Sequence, residues 1–416
     1  MLKFDVKKLS GINTKINNII NAPLPYWFIN RDNPEDINHS EKKMVIFFGN
    51  DMSGVLDLGI ADKGSYISRV NKCLDYIRER FHGFDLCYRA HPADEKEQTF
   101  LDLRGFRVIQ NDTTAEVFLS ENLGKIRTVF TISSSSAFNA YNMGIDAHAF
   151  FRCFKDIYGQ DFVLSLNCSL LELPESFFIE NFSQLLRDNS RVLERDDSLR
   201  EIFQKALDEN KGKVWFYCSF SEHIVTLNIL AGLIRDLSPG RKIGLIISHH
   251  RRWDRLSEYL NKNFNEVVFF PRVHYSLKPA RLLQAINIAR RVRGMGILPE
   301  DILVISSQPD FVEDCFVSYY KKNLKIGFTT RRDINVQYNP QSLIYTTYDD
   351  FSFNKATWFF NKIFEPLLGL HRSLFLSFTP MNKFYFNRYQ RPINEIFDQL
   401  IVFHTPSREE YEKQKM

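Results

Sequence analysis

The chain of 416 residues contains no run of 18 apolar residues, so no membrane-spanning helix is expected. Its first residues, MLKFDVKKLSGINTKINN, hold no apolar core of signal-peptide length. Six cysteines, Cys73, Cys87, Cys153, Cys168, Cys218 and Cys315, are scattered without a CxxC pair. That argues against a zinc site or a disulfide framework and fits reduced thiols in a cytoplasmic protein. No segment repeats with a period of roughly 20 to 50 residues, which excludes a solenoid. Charge of one sign is also scarce. The net charge of +4 is mildly basic; without a clustered basic face it does not point to nucleic acid. It suits an anionic small ligand or an acidic membrane surface. What the chain does have is 44% hydrophobic residues and 38 Phe, enough apolar side chain for the two cores that its length suggests.

Residues 1–40 are polar and read as an irregular segment. From there apolar runs alternate with helical spacing. KMVIFFG (43–49), FDLCYRA (84–90), FRVIQ (106–110), IRTVFTI (126–132) and DAHAFF (146–151) read as strands, with helices over 66–81, 114–123 and 136–143. This first α/β half spans 41–170, and a charged helical linker follows over 171–212. The rhythm restarts at VWFYCSF (214–220), KIGLIIS (242–248), EVVFFP (266–271) and DILVISS (301–307), with helices between them and one more over 310–322. The second half spans 213–350, and 351–416 is an aromatic and basic helical tail. Strands alternating with helices predict parallel βαβ units. The fold class is therefore α/β, with two Rossmann-like domains facing a cleft.

Ligands of such sheets sit beyond the carboxyl ends of the strands, so the residues just after each strand carry the functional reading. KMVIFFG runs into Asn50 and Asp51, FDLCYRA carries Arg89 into His91-Pro92, and IRTVFTI runs into Ser133, Ser134, Ser135 and Ser136. One serine there is an ordinary helix cap; four in a row ask for more. A helix amino terminus has unpaired N–H groups and partial positive charge, and small hydroxyl residues let a phosphate reach them. Arg89 or His91 on an adjacent strand end would neutralise that phosphate. Asp51 is an acid/base candidate, or a turn residue.

YRAHP followed by TISSSS resembles the HP and SS motifs of bacterial glycosyltransferases that use CMP-activated acidic sugars: sialyltransferases, polysialyltransferases and capsule or lipopolysaccharide Kdo transferases. The resemblance covers roughly residues 43–155, about a quarter of the chain. It implies a GT-B-like architecture, phosphate contact by His91, and donor binding by Ser133, Ser134, Ser135 and Ser136. The implied reaction transfers a 2-keto acid sugar from CMP to a glycan hydroxyl. Its main demand is charge stabilisation at the departing phosphate, which His91 would meet as a cation or acid. That chemistry needs no metal or other cofactor, and no DxD-like pair follows a strand. Two features depart from the family. The HP/SS half comes first rather than second, and the D/E-D/E-G triplet that supplies the base in several sialyltransferases is missing.

The second half offers replacements for that base. Glu222 and His223 follow one strand, and Glu222 is either the base or a dipole-stabilising first-turn residue. His249, His250, Arg251 and Arg252 follow another and would meet an anion or form a solvated loop. Ser306, Ser307, Gln308 and Asp310 follow a third, with Asp310 reading as a cap. The expected partners are a nucleotide-sugar donor, a glycan acceptor and a second transferase subunit; residues 354–389 read as buried helix packing, or as a surface that docks on another domain or on the inner membrane face. Two other readings stand beside the first: a UDP- or GDP-sugar transferase or epimerase, and a non-catalytic nucleotide- or glycan-binding subunit.

Overall fold

The computed structural model describes residues 19–31, 42–52, 62–93, 97–158, 173–193, 196–219, 223–248, 255–271, 273, 279–306, 311–330 and 397–404. They form two compact units: the first is mainly Leu24–Arg195, and the second joins Met1–Pro23 to Asp196–Arg252 and Ser257–His404. Both are parallel α/β sheets of Rossmann type.

The second sheet gains its edge from β1, Ile19–Pro23. The first sheet holds β2 (Met44–Phe48), β3 (Asp85–Arg89), β4 (Arg107–Val108), β5 (Ile126–Thr131) and β6 (Asp146–Ala149) in the order β4-β3-β2-β5-β6. The central strand β2, MVIFF, is apolar and buried throughout, as a strand covered by helices on both faces must be. Helix α1, Lys63–Arg80, starts where Asp62 accepts the Ser65 N–H at 2.9 Å and buries Tyr66, Val70, Cys73, Leu74 and Ile77 along one stripe. Helix α2 is Ala115–Glu121, capped by Thr114. Helix α3, Ser135–Asn142, is closed by Gly144 in the left-handed region at φ +84°.

The linker expected to be helical over 171–212 is divided differently. Residues 173–193 lie on the first sheet as extended chain with short turns at Glu175–Phe177 and Asn181–Gln184. Phe178 forms a parallel bridge with Ala149, and Tyr76 donates its hydroxyl to the Gln184 carbonyl at 2.8 Å. The rings decide this. Phe177 packs on Tyr141, Phe178 on Phe151, and Phe182 on Tyr76 and Phe150, in directions that one helical face cannot supply. A buried polar cluster fixes the same segment. Asp146 accepts from the Thr128 hydroxyl and the Asn189 N–H, both at 2.8 Å, beside His148, which is fully buried and stacked on Phe130. Helix α4, Ser198–Glu209, belongs to the second unit.

The second sheet runs β1-β12-β11-β10-β7-β8-β9, with β7 (Val214–Cys218), β8 (Ile243–Ser248), β9 (Glu266–Phe270), β10 (Ile302–Ser306), β11 (Leu324–Thr330) and β12 (Gln399–His404). Its helices are α5 (Ile224–Leu237), α6 (Leu256–Asn261), α7 (Pro279–Arg293) and α8 (Phe311–Tyr319). The segment 1–40 is therefore not wholly irregular, and 351–416 is not wholly helical. Ile19 pairs with Leu400 and Pro23 with His404, both strands extending the sheet beyond β11. No helix among the described residues is long and apolar enough to cross a membrane. The aromatic-basic stretch 354–389 lies outside the described residues.

Candidate functional site

In the first sheet the chain leaves β2 toward β3 and β4, then returns past β2 to β5 and β6. The strand order reverses between β2 and β5, the position where sheets of this kind open a crevice for a ligand. Asn50 follows β2 and the four serines follow β5, so both stand at this switch point.

They are joined. Buried Asn50 donates its amide Nδ2 to Ser133 Oγ at 2.7 Å and accepts on Oδ1 from the Thr131 hydroxyl at 3.2 Å and the Ser133 N–H at 3.4 Å. Thr131 Oγ1 in turn accepts the Ser134 N–H at 3.1 Å. Ser134 is the cap of α3: its hydroxyl accepts the Ser136 N–H at 3.3 Å and lies 3.1 Å from Ser136 Oγ. The four serines thus have different duties. Ser134 and Ser136 build the helix start, Ser133 is held by Asn50, and Ser135 makes no side-chain hydrogen bond among the described residues. Asp51 is half-buried beside this turn.

Arg89 is not placed as the phosphate cation expected of it. It is only 2% exposed. Its guanidinium donates to Asn111 Oδ1 at 3.0 Å, to the Thr114 carbonyl at 3.4 Å and to the Thr113 carbonyl, and it lies 5.0 Å from the Phe118 ring centre. Those groups follow β4, on the side of β3 away from β2 and the serines. Burial pulls its pKa down to about 10, against the opposing pull of Glu116 and Asp112. Arg89 is a brace for the loop that starts α2.

His91 stands at the carboxyl end of β3, half-buried, and its Nδ1 accepts the Ala93 N–H at 3.2 Å. An accepting Nδ1 places the ring proton on Nε2.

The second sheet reverses its order between β7 and β10. There the buried His223, at the start of α5, shares a hydrogen bond from Nδ1 to Ser306 Oγ at the end of β10, and its ring lies 5.6 Å from that of Phe328. Sequence reasoning put both residues after strands but did not pair them. Glu222, His249, His250, Arg251, Arg252, Ser307, Gln308 and Asp310 lie outside the described residues. No group of three or more His, Cys, Asp or Glu among the described residues is arranged to hold a metal ion.

No family model matches the chain, and no curated protein matches its sequence. Among solved structures, the UDP-GlcNAc 2-epimerase from Neisseria meningitidis bound to UDP-GlcNAc aligns over 90% of this chain and 99% of that chain, at 11% identity and a TM-score of 0.18.

Proposed function

We propose that this protein is a glycosyltransferase that moves an acidic 2-keto sugar, of sialic acid or Kdo type, from a CMP-sugar to a glycan hydroxyl in bacterial surface polysaccharide synthesis. The observation that supports it is the serine turn braced across the β2/β5 switch point, with the HP histidine on the neighbouring strand end. Hydroxyl and N–H donors fixed before the reaction stabilise charge as it gathers on the leaving CMP phosphate. His91 would contribute its Nε2–H to that phosphate. The acceptor hydroxyl needs a base, for which Asp51 and Glu222 are the candidates. The five described cysteines are unpaired, which suits a cytoplasmic enzyme.

Calorimetric titration with CMP, UDP and GDP tests the reading. CMP should bind and raise the melting temperature, since a ligand at a hundred times its Kd adds about 2.7 kcal/mol. CMP-sialic acid and CMP-Kdo are then assayed as donors, and His91→Ala should abolish turnover. Binding of UDP or GDP in place of CMP would turn the assignment to a transferase or epimerase of those sugars. Full turnover by His91→Ala would overturn the role of the HP motif. Binding of no nucleotide would leave a non-catalytic glycan-binding subunit.

A further inference from the structure

The backbone N–H of Ser133 sets the direction of the hydrogen bonds around Asn50. A backbone N–H can donate and never accept. The Ser133 N–H faces Asn50 at 3.4 Å, so the amide atom there is the oxygen; the Thr131 hydroxyl lies 3.2 Å from the same atom and shares its one proton between it and the Phe48 carbonyl, also at 3.2 Å. The other amide atom is then the NH2, which only donates, and it lies 2.7 Å from Ser133 Oγ. Ser133 Oγ must accept, so its own proton points away from Asn50. The remaining ties of the turn agree: Ser134 gives its N–H to Thr131 and accepts that of Ser136.

We propose that Asn50 is a positioning residue that fixes Ser133 as a hydrogen-bond donor, so that the turn after β5 takes an oxyanion, a non-bridging phosphate oxygen of CMP, in preference to a neutral group. The inference rests on the nucleotide reading above and adds a residue outside the HP and SS motifs. Asn50→Asp probes it with almost no change of shape. The carboxylate keeps the acceptor oxygen for Thr131 and the Ser133 N–H, but its second oxygen replaces the NH2. The Ser133 proton then turns inward and the outward donor is lost.

The experiment is calorimetric titration of CMP and of cytidine, which lacks the phosphate, into wild type, Asn50→Asp, Ser133→Ala and the double variant. Asn50→Asp should weaken CMP at least about tenfold, as expected for one hydrogen bond to a charged group, and leave cytidine within about twofold. A carboxylate would also repel phosphate directly, and the double variant separates the two effects. If Asn50 acts through Ser133, the aspartate costs less than about threefold once Ser133 is alanine; the same loss in both backgrounds would overturn the inference. So would wild-type CMP affinity in Asn50→Asp. If that variant does not fold, Ser133→Ala alone decides: it must reduce the preference for CMP over cytidine by about fivefold or more, and an unchanged preference overturns the proposal. A wild-type protein with no affinity for CMP would remove the nucleotide reading and this inference together, an outcome distinct from intact CMP binding that ignores Asn50.

Discussion

Replacing Arg89 separates a structural role from a ligand-binding one more sharply than any other change in the first domain. Arg89→Ala removes three donor contacts, to Asn111 Oδ1 and to the carbonyls of Thr113 and Thr114. Each hydrogen bond from a charged group is worth about 1.5–3 kcal/mol, and buried acceptors left bare cost about 1–3 kcal/mol apiece. Glu116, itself buried and accepting from Asn139 at 3.0 Å, loses a nearby positive charge. Against this, the variant escapes the cost of keeping a guanidinium out of water. The fall of its pKa to about 10 from 12.5, against the pull of Glu116 and Asp112, shows that this cost exceeds their attraction. Contacts of one side chain do not add, and removing one member of a buried charged set typically costs about 3–5 kcal/mol. We expect a net loss of about 3–5 kcal/mol, a large share of the stability of a domain this size. The assay is urea-dependent hydrogen exchange of the amides of β3, β5 and α2, which reports the first domain without the second. Arg89→Lys should recover little, because one ammonium cannot reach three acceptors in a fork. A variant of wild-type stability that has lost its affinity for CMP would refute the assignment of Arg89 as a brace and return it to the ligand.

Other outcomes follow from local geometry. Gly144→Ala forces a side chain into φ +84° and sets its Cβ 2.5 Å from the Arg191 carbonyl, so it should cost about 3 kcal/mol in a urea titration and loosen the 173–193 segment from the sheet. Burial pushes the Cys87 and Cys153 thiols up to about 12 and raises that of Cys73 well above its ordinary value. These three should therefore stay unalkylated by iodoacetamide at neutral pH until the chain is unfolded, as read by peptide mass. The Ser190 hydroxyl and N–H, with Arg127, hold the Asp188 carboxyl down at about 2. A carboxylate whose pKa is lower folded than unfolded adds stability above its unfolded value and loses it as pH falls toward 2. Asp188 is about half exposed, so the increment is discounted to under about 1 kcal/mol. Asp188→Asn should flatten the acid limb of the stability profile between about pH 4 and 2 by that amount.

The α/β rhythm was legible because each central strand is a short apolar run that no amphipathic helix would show: MVIFF, IRTVFT, VWFYC, IGLIIS and ILVIS all read as strands and are strands. The edges were less so. β1, IINAP, ends in a proline that marks an edge position, and β12, QLIVFH, has a clear apolar run set in a tail whose Phe, Lys and Arg suggested helix. The 173–193 segment misled because its charges resemble a linker, while its three Phe rings anchor it to sheet and helix instead. Arg89 could not be placed from sequence. A strand-end arginine turns toward a ligand or back to a loop according to which carbonyls the next loop presents, and here Asn111 to Thr114 presents three acceptors.

The pairs that matter most were hidden for a topological reason. Asn50 and Ser133 meet across the first switch point, and His223 and Ser306 across the second; in each pair the partners are 83 residues apart. In both sheets the two strands flanking the switch point, β2 and β5 in the first and β7 and β10 in the second, are separated in the chain by two further strands and the helices that connect them. A motif scan sees the serines because they are adjacent, and sees His91 beside Pro92. It cannot see an asparagine whose partner is supplied three strands later. A residue directly after one of the two strands that flank the switch point gains a neighbour from the other, as Asn50 does from Ser133 and His223 from Ser306. That makes Asn50 the residue through which the serine turn is positioned, and it makes His223 the corresponding point of the second domain. His223→Ala should therefore disturb the carboxyl end of β10 directly, seen as faster hydrogen exchange at Ile305 and Ser306, while exchange at Thr131 and Ser134 in the first domain stays unchanged.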